Sequence, residues 1–451
     1  MSGEHPMIGT LPARRASQWI GWLCTLTGAS CLYCCLIAAA QGNTKPNIIL
    51  ILADDLSATV LPCYGGKSVR TPVLDRLAAE GMRYTHCYSP QVCMPSRCEL
   101  LTGKYSHRNF VGRGNIAPGE TTIASVLKQA GYATCQIEKW HLEFRGGAIP
   151  SQVGFDEFYH TRLAHNYFDP VVSVNGKEQK FEGGYGPHVC QKFAFDFIRR
   201  HQQQPFFLYY AMHLPHAPYH VPPGFDLGDF PTVEEKYYAM IAHQDALIGQ
   251  LIEHLELLNL RDRTLLLFTG DNGTPQGIHY RHGDRTLEGG KGTLLDGGTH
   301  VPLIVNWPGT VGEGIVADQL VDFADFLPTL MELAGRKPRP GLKLDGRSFY
   351  RQLLGDRDAL SRRFAFKFGC RNGGKGALPV HGYWARTQRW KLYNDGRYYD
   401  MKYDLNEEPP IELASASTEA VAAHEHLANV LKHSGAEAVY ERFKKKSHER
   451  D

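Results

Sequence analysis

Apolar runs along this chain repeatedly stop at clusters of polar residues, and those stops organise the sequence. The run 48–53 in "PNIILILADD" has no alternation, which predicts a strand buried on both faces at the centre of a parallel sheet. "TPVLDRLAAEG" then predicts a helix with Thr71 as N-cap, Pro72 at the first position and Gly81 past the end. "ETTIASVLKQAG" repeats that grammar, with Ile123, Val126, Leu127 and Ala130 on one face. Strand and helix patterns keep alternating through the run 206–212, a long helix around 233–258 and the run 265–269, which predicts an α/β fold. Asp54-Asp55 follow the first run, Glu138-Lys139-Trp140-His141 follow 133–137, His213 to His216 follow 206–212, and Asp271-Asn272 follow 265–269. Ligands of open α/β sheets bind off the carboxyl ends of strands, so these groups are expected to converge on one edge.

Their chemistry falls into two sets. Asp54, Asp55, Asp271 and Asn272 are hard oxygen donors, suited to calcium or magnesium rather than zinc or copper. Arg97, Lys139, His141 and His216 are donors and proton carriers suited to a tetrahedral oxyanion. A divalent cation beside cationic donors describes a site for cleaving sulfate or phosphate esters, and residue types alone do not choose the anion. The stretch 91–105, "QVCMPSRCELLTGKY", adds a cysteine at the mouth of a predicted helix, with Pro95 suiting its first position and Gly103 the residue past its end. There the free N–H groups and the dipole favour negative charge, which either activates a thiol or holds an oxyanion.

Composition narrows the setting. The 451 residues suit two to three units of about 150 residues, or one large α/β domain with an appendage. A net charge of +2 with 21% charged residues gives no pull toward nucleic acid. Arg14 and Arg15 precede an apolar run over 19–40 that ends in Ala38-Ala39-Ala40, so residues 1–40 are read as a secretory signal, with a membrane anchor over 19–40 as the alternative. The protein is therefore expected to be exported, periplasmic or secreted. Four of the 11 cysteines fall in that segment; the odd number left leaves at least one sulfur unpaired in an oxidising compartment. After "GRKPRPG", short alternating runs around 384–403 predict a small antiparallel sheet, followed by a helix through 421–432. Residues 436–451, with a basic run from Lys444 to Lys446, read as a frayed, solvated tail. The loop histidines His213, His220, His279 and His282 read as surface residues.

Cys93-Met94-Pro95-Ser96-Arg97 followed by Leu101-Thr102-Gly103 resembles the Cys-x-Pro-Ser-Arg signature of the type I sulfatases, within the alkaline phosphatase superfamily. The blocks "NIILILADDLS", "GYATCQIEKWHL", "PFFLYYAMHLPHAPY", "TLLLFTGDNGT" and "GGKGTLLDGGTHVPLIVNWPG" resemble further family blocks in the expected order, and "RWKLYNDGRYYDMKYDLNEEP" its C-terminal segment, so the resemblance runs from about Asn47 to Pro410. It implies a three-layer α/β/α sandwich with a mostly parallel central sheet over 45–334. A small C-terminal α+β subdomain with an antiparallel sheet follows over 335–435, then the tail 436–451.

The resemblance also implies that a maturation enzyme reads Cys93, Pro95 and Arg97 and oxidises Cys93 to formylglycine. One hydroxyl of the aldehyde hydrate attacks sulfur and releases the alcohol; deprotonation of the other expels sulfate and restores the aldehyde. Asp54, Asp55, Asp271 and Asn272 correspond to the ligands of Ca2+, with Mg2+ the less favoured ion. Arg97 and Lys139 correspond to residues that hold the hydrate, and His141 to the base of the elimination. His216 and Lys291 correspond to the pair that grips sulfate and assists the departing alcohol, and Ser96 to a hydrogen-bonding position. Lys291, in "GGKGTLLDGG", reads on residue pattern alone equally as a solvated turn lysine.

Departures from the family pattern are Ser57 and Glu138, where glycine is usual, and Asp296 and His300, where glutamate and arginine are more common. Glu138 is expected to point away from the pocket, since its carboxylate would oppose an anionic substrate. A sulfated carbohydrate is the expected substrate, with aryl sulfates as surrogates. A phosphoric or phosphonate ester hydrolase of the same superfamily is the competing enzyme. Tyrosine phosphatase chemistry fails because it needs arginine six residues after the cysteine, where Glu99 stands. A non-catalytic sulfoglycan-binding protein, with Cys93 never modified, is the alternative of a different class.

Overall fold

The computed structural model describes residues 45–109, 115–161, 167–356, 358–370, 380–402 and 407–448. The expected leader, residues 1–40, lies outside them. A ten-stranded sheet forms the spine, built from β1 (Asn47–Ala53), β2 (Met82–Tyr88), β3 (Ala133–Lys139), β4 (Glu157–Thr161), β5 (Val171–Val174), β6 (Lys177–Lys180), β7 (Phe206–Ala211), β8 (Thr264–Gly270), β11 (His300–Asn306) and β12 (Ile315–Asp322). A two-stranded hairpin, β9 (His279–His282) with β10 (Arg285–Glu288), interrupts the chain order. The strand order is β12-β2-β11-β8-β1-β7-β3-β4-β5-β6, and the five central strands β8-β1-β7-β3-β4 run parallel. Every residue of β1 is buried, as its unbroken apolar run requires.

Helices cover both faces. Ile48, Leu50 and Leu52 point toward α2 (Cys93–Thr102), α3 (Ile123–Gln129) and α6 (Phe326–Leu333), whereas Ile49 and Ile51 point toward α1 (Pro72–Ala79), α4 (Gly186–Arg200) and α5 (Val233–Leu257). This is the three-layer sandwich. Thr71 precedes α1 as expected but makes no side-chain cap bond; its hydroxyl reaches Asp75 instead. α2 begins at Cys93 and not at Pro95, because the Val92 carbonyl already accepts from the Ser96 N–H; Gly103 ends it at φ 64°.

The antiparallel C-terminal sheet comprises β13 (Ala365–Cys370), β14 (Val380–Arg386), β15 (Trp390–Tyr393) and β16 (Tyr398–Asp400), backed by α7 (Thr418–His433). The expected frayed tail is instead a helix, α8 (Ala436–His448). Ala436 is buried in the C-terminal core and Tyr440 packs edge-on against Tyr383, so apolar contact outweighs the charge of the segment. All six cysteines among the described residues outside the leader with a resolved state are free thiols. Among the described residues no helix is long and apolar enough to cross a membrane.

Two buried ionic clusters join this sheet to the rest. Lys367 on β13 donates to Asp322 at 2.6 Å and to Glu99 on α2 at 2.5 Å, all three fully buried. Lys391 on β15 donates to Glu407 at 2.6 Å and to the Leu294 carbonyl at 2.8 Å, while Arg386 clasps both oxygens of Asp296. The first cluster pins the helix that carries Cys93; the second pins the loop that carries Lys291. Burial pushes the Glu99 carboxyl up to about 8 despite Lys367. Replacing Lys367 with methionine leaves the buried Asp322 carboxylate without its closest cation, which should lower stability by about 3–5 kcal/mol, read from the urea unfolding midpoint.

Candidate active site

Register brings the strand ends together. Ala53 pairs with Gly270, so the next two residues of each strand stand side by side: Asp54 and Asp55 from β1, Asp271 and Asn272 from β8. The Asp271 N–H donates to the Ala53 carbonyl, the Leu56 N–H to the Asn272 carbonyl, and the Asp55 N–H to Asp271 Oδ1 at 3.1 Å. Lys139 comes from the end of β3 with His141 just beyond it, His216 lies beyond the end of β7, and Cys93 and Arg97 stand on the first turns of α2. Lys291 sits on a loop whose backbone is tied to Thr274 and Gln91. A side chain on Gly273 would meet the Gly297 carbonyl at 1.9 Å, so the loop after β8 and the loop after Lys291 touch backbone to backbone. All ten residues singled out in the sequence thus meet at one sheet edge.

The arrangement is a set of buried opposite charges. Arg97 donates to Asp271 at 2.8 and 3.1 Å and to the Lys139 carbonyl at 3.1 Å. Lys139 is paired with Asp54, and Lys291 lies 2.6 Å from the Asp55 carboxylate. Cys93 Sγ is 3.3 Å from Asp54 Oδ1 and 3.9 Å from Asp55 Oδ1, and His216 Nε2 is 3.8 Å from Asp55. Burial alone would raise the Asp54 carboxyl, yet Lys139, His216 and Arg97 hold it well below the usual carboxylate range. Asp271 goes the other way, pushed up to about 7 by burial and by Asp54. Burial and the flanking carboxylates Asp271 and Asp54 push the Cys93 thiol well up, so it stays protonated. Burial, reinforced by Lys139 and Arg97, depresses His141 to about 2 and leaves it a neutral imidazole.

Donor atoms of Asp54, Asp55, Cys93 and His216 all lie within 4.8 Å of one another. The Asn272 amide donates to Asp55 at 2.7 Å, and its Oδ1 is buried without a hydrogen-bond partner. Such an oxygen beside three carboxylates fits a hard divalent cation. Oxidation of Cys93 to an aldehyde would exchange the one soft donor for oxygen, which improves that fit. Ser96 is used structurally: its hydroxyl donates toward the Pro90 and Val92 carbonyls, both at 2.9 Å.

One expectation, for His213, is corrected, and Glu138 has a buried partner. Glu138 is buried at φ 75°, and its Oε1 accepts the His213 N–H at 3.0 Å while Oε2 has no partner. His213 is no surface residue; it is buried, its carbonyl accepts from the Tyr167 hydroxyl and from the His216 N–H, and its ring contacts Thr161. The chain Glu138–His213–His216 thereby ties the β3 end to the β7 turn. The signal available in the sequence was the position of His213, directly after an apolar run and two residues before Pro215. His220 is half-buried, bonded to the Tyr185 hydroxyl at 2.9 Å, while His279 is exposed as expected. Asp55 and His141 share the left-handed backbone of Glu138, at φ 73° and 62°, so strained residues cluster here.

Two family profiles match the chain: Sulfatase over residues 46–336, and N-sulphoglucosamine sulphohydrolase, C-terminal, over residues 290–437. Arylsulfatase A of Homo sapiens is 35% identical over 367 residues, covering 71% of this chain and 70% of that protein. N-acetylgalactosamine-6-sulfatase of Homo sapiens is 31% identical over 400 residues, covering 80% and 76%. The solved structure of Ps i-CgsB in complex with k-i-k-neocarrahexaose superposes with a TM-score of 0.70 at 27% identity, over 85% of this chain and 92% of that chain.

Removing the Glu138 carboxylate should orphan the buried His213 N–H. Glu138→Ala is expected to cost about 1–3 kcal/mol in urea unfolding, and Glu138→Gln, which keeps an accepting oxygen, less than half of that.

Proposed function

Since the chain belongs to the sulfatase family of the alkaline phosphatase superfamily, whose members are sulfuric ester hydrolases, we propose that it removes sulfate from a sulfated carbohydrate. The nucleophile would be formylglycine made from Cys93, and the metal Ca2+ held by Asp54, Asp55, Asp271 and Asn272. The names of two similar proteins support a sulfated sugar: one is an N-acetylgalactosamine-6-sulfatase, the other was solved with neocarrahexaose. We read 45–334 as the catalytic domain, 335–435 as a supporting subdomain, and the protein as exported.

The observation that carries this reading is the state of Cys93. It opens a helix inside the site, 5% exposed, yet burial and carboxylates keep its thiol protonated. An unmodified thiol there would be a poor nucleophile, whereas the hydrate of an aldehyde supplies a hydroxyl for attack without needing a thiolate. The cation would offset the carboxylate charge and draw electron density from the ester oxygens.

The remaining work falls to this chain's side chains. Lys291, held in its charged form by Asp55 against the effect of burial, shares that carboxylate with Cys93 and is placed to bind a sulfate oxygen. His216 Nδ1–H donates to the Ala217 carbonyl at 2.5 Å, which turns Nε2 toward the site to assist the departing alcohol oxygen. His141 is neutral and its buried Nδ1 lacks a partner, so it is suited to accept the proton whose removal expels sulfate. Arg97 and Lys139 supply fixed positive charge to the same volume. Cys93, Pro95 and Arg97 are all buried, so a maturation enzyme would reach them only before the chain folds.

Four measurements check this. The tryptic peptide 84–97 from protein made in its own host should carry an aldehyde in place of the Cys93 thiol; an intact thiol would favour the sulfoglycan-binding reading. Cys93→Ala should lower kcat by roughly 10³-fold or more. A chelator should abolish turnover and Ca2+ restore it, and a sulfate ester should be cleaved far faster than the phosphate or phosphonate ester of the same alcohol.

A further inference from the structure

A second cavity, of about 610 Å³, opens beyond the C-terminal end of α2, where Tyr105 forms part of its wall. The helix is ten residues long, about 15 Å, with Cys93 at its other end. Arg347, Arg362, Arg363, His426, Asn429 and His433 line the cavity. Arg362 is committed to the frame: it donates to Asp325 at 2.6 and 2.9 Å and to the Tyr105 hydroxyl at 2.7 Å. The exposed guanidinium groups of Arg347 and Arg363 make no hydrogen bond or ion pair with any described residue. The carboxylate in the lining, Asp345, is already taken by Arg108 and the Tyr105 N–H. His426 Nε2 is buried without a partner, and Phe364 lies edge-on to its ring.

That leaves two unspent guanidinium forks and an unsatisfied imidazole around a space far larger than one inorganic anion but within the range of small-ligand sites. Guanidinium groups match planar pairs of anionic oxygens, the amide of Asn429 suits sugar hydroxyls, and Phe364 and Phe366 offer apolar faces. Resting on the sulfated-carbohydrate reading above, we propose that this cavity is a non-catalytic subsite that holds an anionic sugar unit of the substrate polymer, bound through its sulfate or carboxylate. Holding a polymer at two points raises its effective concentration at the catalytic edge with no change in the chemistry there. Selectivity between polymer and small ester would then be set far from the reacting sulfur.

The test uses the full-length chain and dextran sulfate oligosaccharides, with unsulfated dextran as control. In the Cys93→Ala background, Arg347→Gln with Arg363→Gln should weaken dextran sulfate binding about tenfold by calorimetry and flatten its salt dependence; equal affinity would overturn the proposal. In the Cys93-containing enzyme, the same pair should leave turnover of a small aryl sulfate unchanged; a matching loss would mean that the arginines serve the fold or the catalytic edge and would also overturn it. Inorganic sulfate binding as tightly as the oligosaccharide would assign the cavity to the free ion instead. Should the wild-type enzyme cleave no sulfate ester, the catalytic reading falls, while arginine-dependent binding of dextran sulfate would still establish the subsite.

Discussion

Asp54, Asp55 and Asp271 occupy a pocket with almost no water to screen them, and Arg97, Lys139 and Lys291 are bound to them one against one. Charges in such surroundings interact strongly, and each costs several kcal/mol to desolvate, so removing any one exposes the others. The rest of the molecule is arranged around keeping that balance. The parallel register of β1 and β8 fixes where the carboxylates stand, and the helix mouth fixes where Arg97 reaches them. Strain in the backbone of Asp55, Glu138 and His141 is tolerated because the surrounding sheet leaves those residues no alternative path.

The same balance divides labour among chemically similar groups. Asp54 is held low and Asp271 is pushed up, although they are neighbours: Lys139, His216 and Arg97 outweigh burial at the first, while burial and the field of the first outweigh Arg97 at the second. His141 and His216 are likewise both imidazoles at one edge. Burial lowers both; Lys139 and Arg97 add to it at His141, whereas Asp54 and Asp55 work against it at His216. Burial and position in a field of fixed charges, rather than residue type alone, set the protonation of each group.

Much of this was legible in the sequence because strands and their ends obey simple rules. An apolar run without alternation has to be covered on both faces, and its first polar residue marks the edge of the sheet. That reasoning located Asp54, Asp55, Lys139, His216, Asp271 and Asn272 without any coordinates, and the pentapeptide after Val92 located Cys93 and Arg97. What escaped it were interactions between residues far apart in the chain. Glu138 looks like a misplaced acid until the His213 N–H it accepts is seen, and His213 looks like a loop residue until its burial is seen. The start of α2 was misread because proline is permissive rather than obligatory at a first helical position. The segment 436–448 departs from the expected frayed tail because Val439 and Tyr440, within a strongly charged stretch, pack against the C-terminal core.

Lys367 and Lys391 hold, from the C-terminal sheet, the two segments that bring Cys93 and Lys291 to the carboxylate edge of the large sheet. Since that sheet follows both segments in the chain, neither acquires its final anchor until it has been synthesised. About 300 residues separate Cys93 from the last residue of the second clamp, Glu407, which at ordinary elongation rates amounts to tens of seconds. For that interval the signature lacks the contacts that later close it off. The order of elements along the chain therefore acts as a clock: it leaves Cys93 accessible until the sheet that closes over its helix has been made.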